Sequence, residues 1–178
     1  VVEQFWDLNL IKEPANIFNL DYEKIKTLEG WGELSINNLK KAIKKSQLIG
    51  LDKFIFSIGI RHIGQENAKI IAGFFSSIKN FTKLFNSEDR KKLLIGLADL
   101  DGIGETQIVS INNFFLSKTN IKIIKNLINH LSIINYTIKI TGGKFSNKKL
   151  MFTGGFKNMS RSEAKSIAEK NGGKVLGS

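Results

Sequence analysis

The chain has 178 residues, of which 42% are hydrophobic, and a net charge of +11 at neutral pH, so it can bury a globular core of one or two domains. The absence of cysteine from these residues excludes disulfides and cysteine metal sites within them. No apolar run approaches the ~18 residues that a membrane-spanning helix needs. The positive charge suggests a polyanionic partner.

The charge is unevenly distributed along the chain. Residues 1–138 carry 18 basic and 14 acidic residues, whereas residues 139–178 carry 9 and 2. The longer first part is therefore only mildly basic, and any contact it makes with a polyanion must rely on backbone amides as well as on side-chain charge. Lysine outnumbers arginine by 24 to 3, a bias that an AT-rich genome also produces, so total charge alone is a weak indication of function.

The chain begins with short helical patterns. Residues 1–10 have the apolar spacing of one amphipathic helix, and residues 15–20 follow Pro14 as a second helical turn. Asp21 is a suitable N-cap for a helix over 22–28. Because the sequence lacks an initiator Met, we expect it to be part of a longer protein.

Three short segments, each with a glycine at its end, precede a longer helical pattern. The helices are predicted over 35–46, 66–75 and 105–115. Glycine suits a tight turn or a close approach of the backbone to a ligand, and the N–H groups of a helix N-terminus attract phosphate. We call the segments hairpins 1, 2 and 3: Leu28-Glu29-Gly30-Trp31-Gly32, Ile60-Arg61-His62-Ile63-Gly64 and Leu100-Asp101-Gly102-Ile103-Gly104.

The same apolar positions recur around the last glycine of each hairpin. Apolar residues stand four positions and one position before it, and four and seven positions after it. The two later positions share one helix face, against which the residue just before the glycine can plug the hairpin. Such an internal repeat is a much stronger signal than one Gly-x-Gly. These residues are Leu28, Ile60 and Leu100; Trp31, Ile63 and Ile103; Ile36, Ala68 and Ile108; and Leu39, Ile71 and Ile111.

Further helices are predicted between and after the hairpins, over 51–58, 78–85 and from Ser87 toward residue 97. A last helix over 120–135 would be capped by Asn120. The aromatic residues, Trp6 among them, are predicted to be core residues, since they are not spaced as a base-stacking platform.

The pattern changes after residue 138. Residues 139–147 have the composition of a linker, and 150–152 are a strand candidate followed by a turn at Thr153-Gly154-Gly155. A capping box at Ser160-Arg161-Ser162-Glu163 opens a helix to Lys170, and 174–176 can form a second, parallel strand. Two strands and one helix cannot bury both faces of a sheet, so we expect this domain to continue beyond Ser178.

Taken together, the hairpins and the terminal segment resemble the C-terminal part of bacterial NAD-dependent DNA ligases. The resemblance rests on residues 25–32 and 56–64 and on Met151-Phe152-Thr153-Gly154, Met159 to Ala164 and Gly172 to Val175, and it covers essentially the whole chain. It implies a mainly α fold of tandem helix–hairpin–helix repeats, followed by a truncated α/β segment of the BRCT kind. The implied domains are 1–138 (three complete motifs and the end of an earlier one), a linker 139–147, and the N-terminal part of a BRCT domain over 148–178.

The resemblance also implies a function. The parent enzyme would seal nicks in DNA during replication and repair, using NAD and a divalent metal such as Mg²⁺, with zinc in a cysteine finger upstream, and would be cytoplasmic and nucleoid-associated. The present residues lack the catalytic lysine motif, so they are expected to be non-catalytic, to hold no cofactor, and to bind nicked double-stranded DNA without contacting a membrane. The BRCT segment could contact another protein.

The predicted DNA contacts are the amides of the hairpins, approached from the minor-groove side, with added charge at hairpin 2. Phosphate contacts position a duplex and read no bases. Glu33 and Glu105, directly after the last glycines of hairpins 1 and 3, would repel phosphate, which leaves backbone donation as the main interaction there. Lys40, Lys44, Lys53 and Lys69 are candidate flanking contacts. The predicted DNA-binding residues are Gly30, Trp31, Gly32, Arg61, His62, Gly64, Gly102, Ile103 and Gly104, and the BRCT loop residues are Thr153 and Gly154.

Other interpretations remain open at this point. The hairpins could be plain connections in a helical scaffold that packs against other domains or a protein partner. Arg61 could form a surface salt bridge, and His62 could be an ordinary surface residue. Asp99 and Asp101 fit turn residues better than metal ligands, because they lack a third ligand. Phosphopeptide binding at Thr153 and Gly154 is disfavoured, since the lysine that would complete such a pocket is absent from these residues.

Overall fold

The computed structural model describes residues 1–137, 143–146, 148–156, 159 and 161–176. Its contacts divide the chain into two compact units, Val1–Tyr136 and Thr137–Ser178. The first unit is helical and the second contains a small parallel sheet with one helix, which confirms the predicted fold class. The predicted linker over 139–147 lies largely outside the described residues, and the predicted domain limits stay a prediction.

The first unit consists of short helices joined by tight connections. Two 3₁₀ helices lie at Pro14–Asn19 and Thr82–Phe85, and two short strands, β1 and β2, lie at Leu48–Gly50 and Ser132–Ile134. The α-helices are α1 (Val2–Asp7), α2 (Tyr22–Lys26), α3 (Glu33–Ser46), α4 (Leu51–Ser57), α5 (Gln65–Phe75), α6 (Ile78–Phe81), α7 (Ser87–Ala98), α8 (Glu105–Leu116) and α9 (Lys118–Ile128).

Side-chain caps fix where several helices begin. The Asp21 carboxylate accepts the N–H of Lys24, as predicted, so α2 starts at Tyr22. Helix α7 begins at Ser87, as predicted, and its cap is Asn86, whose amide oxygen accepts two N–H groups. The prediction of Asn120 as a cap is wrong, because Ser117 caps α9 three residues earlier.

The first unit contains two separate hydrophobic clusters, which correspond to the repeat. The smaller cluster surrounds hairpin 1 and is built on Phe5, Leu20, Ile25, Ile36 and Ile43. The larger surrounds hairpins 2 and 3, where the fully buried rings of Phe54, Phe75 and Phe115 each pack edge to face against the central ring of Phe81. Trp6 is 51% exposed, so its assignment to the core is wrong.

A two-stranded parallel ladder replaces the end of the predicted last helix. Residues 132–134 form β2, which pairs with β1 in the register Leu48↔Ser132, Ile49↔Ile133 and Gly50↔Ile134. The helix prediction over 120–135 is therefore wrong after Ile128, where α9 ends with Asn129 as its C-cap. The reason is non-local: Ile133 and Ile134 are β-branched, and a partner strand distant in sequence offers them backbone hydrogen bonds.

A buried arginine closes the larger cluster. Arg90 is only 6% exposed, and its guanidinium group donates to the carbonyl oxygens of Leu84 and Phe115, at 3.0 Å each, and to Asn112. These carbonyls belong to the ends of the second 3₁₀ helix and of α8, where helical partners run out. Arg90 thus supplies donors to helix ends that the apolar core could not satisfy.

The second unit is a β–α–β segment. Strands β3 (Lys149–Leu150) and β4 (Lys174–Val175) pair in parallel, as predicted, and α10 (Arg161–Lys170) connects them. Ala164 and Ala168 of α10 are buried. Gly173 is buried as well, and a Cβ there would lie 2.8 Å from the Leu150 side chain. The Ser160 end of the predicted capping box lies outside the described residues.

Replacing Arg90 tests its role as a donor to helix ends. Arg90→Met keeps most of the volume but leaves two buried carbonyls without a donor, so we expect the free energy of unfolding to fall by at least about 2 kcal/mol. Urea denaturation measures this change, and Lys91→Met at the exposed neighbouring position is the control. A loss below about 0.5 kcal/mol, the size of ordinary surface effects, would contradict this role for the guanidinium group.

Candidate nucleic-acid interface

The three hairpins share one backbone hydrogen bond. In each, the N–H of the fourth residue donates to the carbonyl oxygen of the first, and the distance is 3.1 Å in all three. A bond from residue four to residue one closes a β-turn, after which the fifth residue, the last glycine, becomes the N-cap of α3, α5 or α8. The pairs are Trp31 and Leu28, Ile63 and Ile60, and Ile103 and Leu100.

The third residue of every turn has a left-handed backbone. The φ angle is +83° at Gly30, +62° at His62 and +89° at Gly102. A positive φ at this position is typical of type II turns and normally demands glycine. His62 is therefore a histidine in a glycine position, and the repeat aligned on the last glycines already places it opposite Gly30 and Gly102.

The apolar positions of the repeat hold each hairpin on its helix. Ile63 and Ile103, the residues just before the last glycines, are 6% and 5% exposed, while Trp31 is half-buried beside Phe5 with 5.2 Å between ring centroids. The positions four and seven residues after the glycine are buried or half-buried in every copy, as predicted. Trp31 and Ile103 were predicted to contact DNA through their amides, and their side chains serve packing.

The last glycines of hairpins 1 and 2 face open space. A Cβ at Gly32 would meet no atom within 4 Å, and one at Gly64 would meet only the Asn67 amide oxygen at 3.8 Å. Their φ angles of −82° and −81° suit any residue. Neither packing nor backbone strain within the described residues therefore requires glycine at these two positions. The missing side chain leaves space for a ligand to approach the backbone closely.

The structure narrows which amides can donate outward. The N–H groups of Trp31, Ile63 and Ile103 close the turns, and those of Gly64 and Gly104 are held by the side-chain oxygens of Asn67 (3.4 Å) and Gln107 (3.0 Å). In hairpin 1 the corresponding residue is Ser35, and the N-cap Gly32 has no side-chain cap. The remaining candidates are the N–H groups of the third turn residue and of the first two helical residues in each hairpin, together with that of Gly32 in hairpin 1.

Charged side chains around the hairpins are partly paired. In hairpin 1, Lys26 Nζ lies 3.0 Å from the Glu33 carboxylate across the base of the turn. The hydrogen bond and the opposite charge lower the pKa of the Glu33 carboxyl group and raise the pKa of the Lys26 ammonium group. The positive charge of Lys26 therefore reduces the predicted repulsion of phosphate by Glu33. The same ion pair occupies the Lys26 ammonium group.

The flanking lysines differ in their surroundings. Lys40 lies over the ring of Tyr22, with Nζ 4.6 Å from its centroid, and Lys69 pairs with Glu66 at 3.3 Å on the same helix. Lys44 and Lys53 are exposed. Arg61 and His62 are also exposed, at the outermost part of hairpin 2. Arg61 therefore gives hairpin 2 a cationic tip, where hairpins 1 and 3 have Glu29 and Asp101.

The predicted BRCT loop lies in the second unit. Thr153 is exposed, and Gly154 has a φ of +84°, with no atom within 4 Å of the place that a Cβ would take. The Gly154 carbonyl oxygen accepts a hydrogen bond from Arg161 at 3.3 Å, which ties the loop to the start of α10.

The described part of the chain contains neither a metal-binding cluster nor a membrane-spanning helix. Among these residues, no group of three or more His, Asp or Glu side chains could hold a metal ion; Asp99 is the C-cap of α7, and Asp101 is the second residue of hairpin 3. The helices that the structure describes are all too short or too polar to cross a membrane.

Comparisons with known proteins agree with the repeat. The helix-hairpin-helix motif family matches residues 53–124, and the BRCA1 C Terminus (BRCT) domain family matches residues 141–178. Proteins named DNA ligase are similar over nearly the whole chain: 46% identity over 99% of it in Pelagibacter ubique, 41% over 98% in Neorickettsia sennetsu and 39% over 99% in Rickettsia bellii. The chain spans only about a quarter of the length of these relatives, between 25% and 27%.

The histidine in the glycine position yields a stability prediction. His62→Gly relieves a left-handed conformation that costs an L-residue roughly 1–2 kcal/mol but adds about 0.5–1 kcal/mol of backbone entropy loss, so we expect unfolding free energy within about 1 kcal/mol of the wild type. Gly30→Val, in the same position of hairpin 1, should lose at least about 1 kcal/mol. Chemical denaturation measures both.

Gly32→Ser is the matched control, because serine is a good N-cap and the φ there is ordinary. Its stability should remain close to that of the wild type. Equal stabilities for Gly30→Val and Gly32→Ser would show that the left-handed residue does not constrain the turn.

Proposed function

We propose that this chain is the duplex-binding part of a bacterial DNA ligase. Nearly all of the chain is similar to such enzymes, and it spans about a quarter of their length. In this proposal residues 1–138 grip the sugar–phosphate backbone of nicked DNA without reading its sequence. The linker over 139–147 and the BRCT segment over 148–178 follow, and the segment around Thr153 and Gly154 offers a contact to another protein.

The proposal rests on one observation. In hairpins 1 and 2, a glycine with free space around it stands at the start of a helix, directly after a turn closed by the same backbone hydrogen bond. At Gly32 and Gly64 nothing inside the described protein requires the missing side chain. The backbone N–H groups beside them carry the positive end of the helix dipole. A phosphate group, which needs several donors and a short distance, fits such a place better than a neutral partner does.

Backbone recognition also fits the job of a nick sealer. Amide donors contact phosphate oxygens that are the same in every sequence, so they position a duplex but do not select one. Arg61 and His62 at the tip of hairpin 2 would add side-chain charge, whereas hairpins 1 and 3 would depend on their amides. Residues 1–138 have only a mild net charge, which supports a binding mode that depends more on the positions of the amide donors than on charge density.

The activity of the whole enzyme belongs to the same proposal. A parent DNA ligase would use NAD and a divalent metal such as Mg²⁺, both bound by other residues, and would contain a zinc finger outside this chain. It would work on DNA in the bacterial cytoplasm in association with the nucleoid. The present residues would hold the duplex in place and would not enter the chemistry. Binding energy from such remote contacts serves catalysis by fixing the orientation of the reacting ends.

A protein-docking scaffold is the second candidate, and one feature favours it. A groove between α7 and α8 is lined by Leu94, Ile108, Val109 and Leu116, and Val109 and Leu116 are half or more exposed. Docking through such an apolar surface would respond little to salt, whereas phosphate binding weakens linearly with the logarithm of salt concentration.

Substitution of an open glycine tests the proposed interface. Gly64→Thr adds a β-branched side chain where a phosphate would approach, and threonine is as good an N-cap as glycine, so the fold should be kept. We expect the melting temperature to change little and the affinity for a nicked duplex to fall about tenfold or more, because amide donors lose their short contact. Fluorescence anisotropy over a range of salt concentrations, with two duplexes of unrelated sequence, measures the affinity.

Asn86→Thr is the matched control, since it changes an N-cap that follows no hairpin. It should bind both duplexes like the wild type. Wild-type affinity in Gly64→Thr, or binding without salt dependence, would reject phosphate contact at hairpin 2 and favour the scaffold.

The ion pair in hairpin 1 gives a second prediction. Glu33→Gln removes a negative charge at the helix start and releases Lys26 for phosphate, so duplex binding should strengthen a few-fold and the salt slope should steepen by about one unit. Glu88→Gln, at the start of α7, removes the same charge away from a hairpin. If both variants gain equally, net charge rather than the local pair determines the effect.

A further inference from the structure

One side chain connects hairpins 2 and 3. Asn67, in the first turn of α5, accepts the N–H of Gly64 through Oδ1 at 3.4 Å and donates from Nδ2 to the carbonyl oxygen of Gly102 at 2.7 Å. The first bond caps its own helix and the second reaches the third turn residue of the next hairpin. The chemistry of the partners fixes the orientation of the amide, because Gly64 N–H can only donate and the Gly102 carbonyl can only accept.

A packing contact one helical turn further supports this bridge. A Cβ at Gly102 would lie 2.8 Å from Cδ1 of Ile70, so hairpin 3 rests directly on the surface of α5. Asn67 and Ile70 are three residues apart and share a helix face. The equivalent glycine of hairpin 1, Gly30, has nothing within 4 Å of that position. The described contacts thus join hairpin 3 to hairpin 2 through a polar bond and an apolar contact.

The other hairpins show that capping does not require a bridge. Gln107 occupies the same position in α8 and caps Gly104 at 3.0 Å, and the structure gives it no side-chain bond to another hairpin among residues 1–137. Ser35 occupies it in α3, where the side chain makes no cap. Asn67 therefore combines a function common to two of the helices with one that belongs to hairpins 2 and 3 alone.

We propose that Asn67 is a positioning residue that holds the backbones of hairpins 2 and 3 at a fixed separation, and that this fixed pair selects duplex over single-stranded DNA. The proposal rests on the proposed function and deepens it. A duplex is stiff and presents phosphates at set positions, so two loops already at the right spacing bind it without a further ordering cost. A single strand adapts to either arrangement, and its binding should depend little on the bridge.

Two acidic variants separate the bridge from the cap. Asn67→Asp still accepts the Gly64 N–H but cannot donate to Gly102, whereas Gln107→Glu keeps its cap and has no bridge to lose. Both place a carboxylate in the third position of a helix, where the dipole favours it, so both should fold. Each adds the same negative charge beside a hairpin.

The main measurement is the ratio of duplex to single-strand affinity for the full chain, determined by fluorescence anisotropy with oligonucleotides of the same sequence. We expect Asn67→Asp to lose about tenfold in this ratio, the equivalent of one hydrogen bond at the upper end of its net contribution. In Gln107→Glu the added charge should weaken both ligands equally and leave the ratio unchanged. The loss in Asn67→Asp should also persist at high salt, where repulsion between charges is screened.

Hydrogen exchange of the protein alone gives an independent readout. Amide exchange in hairpin 3 should accelerate in Asn67→Asp and stay unchanged in Gln107→Glu. An equal change of the ratio in both variants, or unchanged exchange in hairpin 3, overturns the role of Asn67. If the wild type binds neither ligand while exchange responds as expected, the duplex-binding function fails and the bridge remains as a structural contact only.

Discussion

The structure of the first unit depends on one backbone arrangement, a four-residue turn closed at 3.1 Å with a left-handed third residue. This turn reverses the chain within four residues and leads into a helix whose N-terminus is uncapped or capped by a side chain. The apolar residue that closes the turn also anchors it, because its side chain points into the helix interface. Turn, anchor and helix start are therefore one physical unit, and the chain contains it three times.

The three copies are nevertheless unequal. Hairpin 1 carries an ion pair across its base and has its own small core, whereas hairpins 2 and 3 share the large aromatic core. Hairpin 2 has the cationic tip, and hairpin 3 rests on the helix that follows hairpin 2. The three hairpins thus share one backbone conformation but carry different side chains. Each hairpin therefore offers a ligand different contacts.

Local features of this chain were predictable and tertiary ones were not. The apolar repeat identified the three hairpins and the buried faces of their helices, and the Asp21 cap was evident from residue type. The strand at 132–134 was missed because its partner lies far away in sequence. The left-handed backbone of His62 was predictable, because the repeat aligns His62 with Gly30 and Gly102. The burial of Arg90 and the bridge from Asn67 depend on neighbours from other helices, so the residue types alone gave no sign of them.

The β1–β2 ladder has a consequence for the order in which the protein is made. The side chain of Gln47 donates to the carbonyl oxygen of His130, 83 positions later, and Ser132 donates to the Gln47 carbonyl. On the ribosome, the part that carries hairpin 1 is synthesised first, yet its attachment to the larger core requires almost the last residues of the unit. Hairpin 1 is therefore the first of the three to emerge, whereas the bonds of Gln47 with residues 130–132 form only after nearly the whole unit has been synthesised.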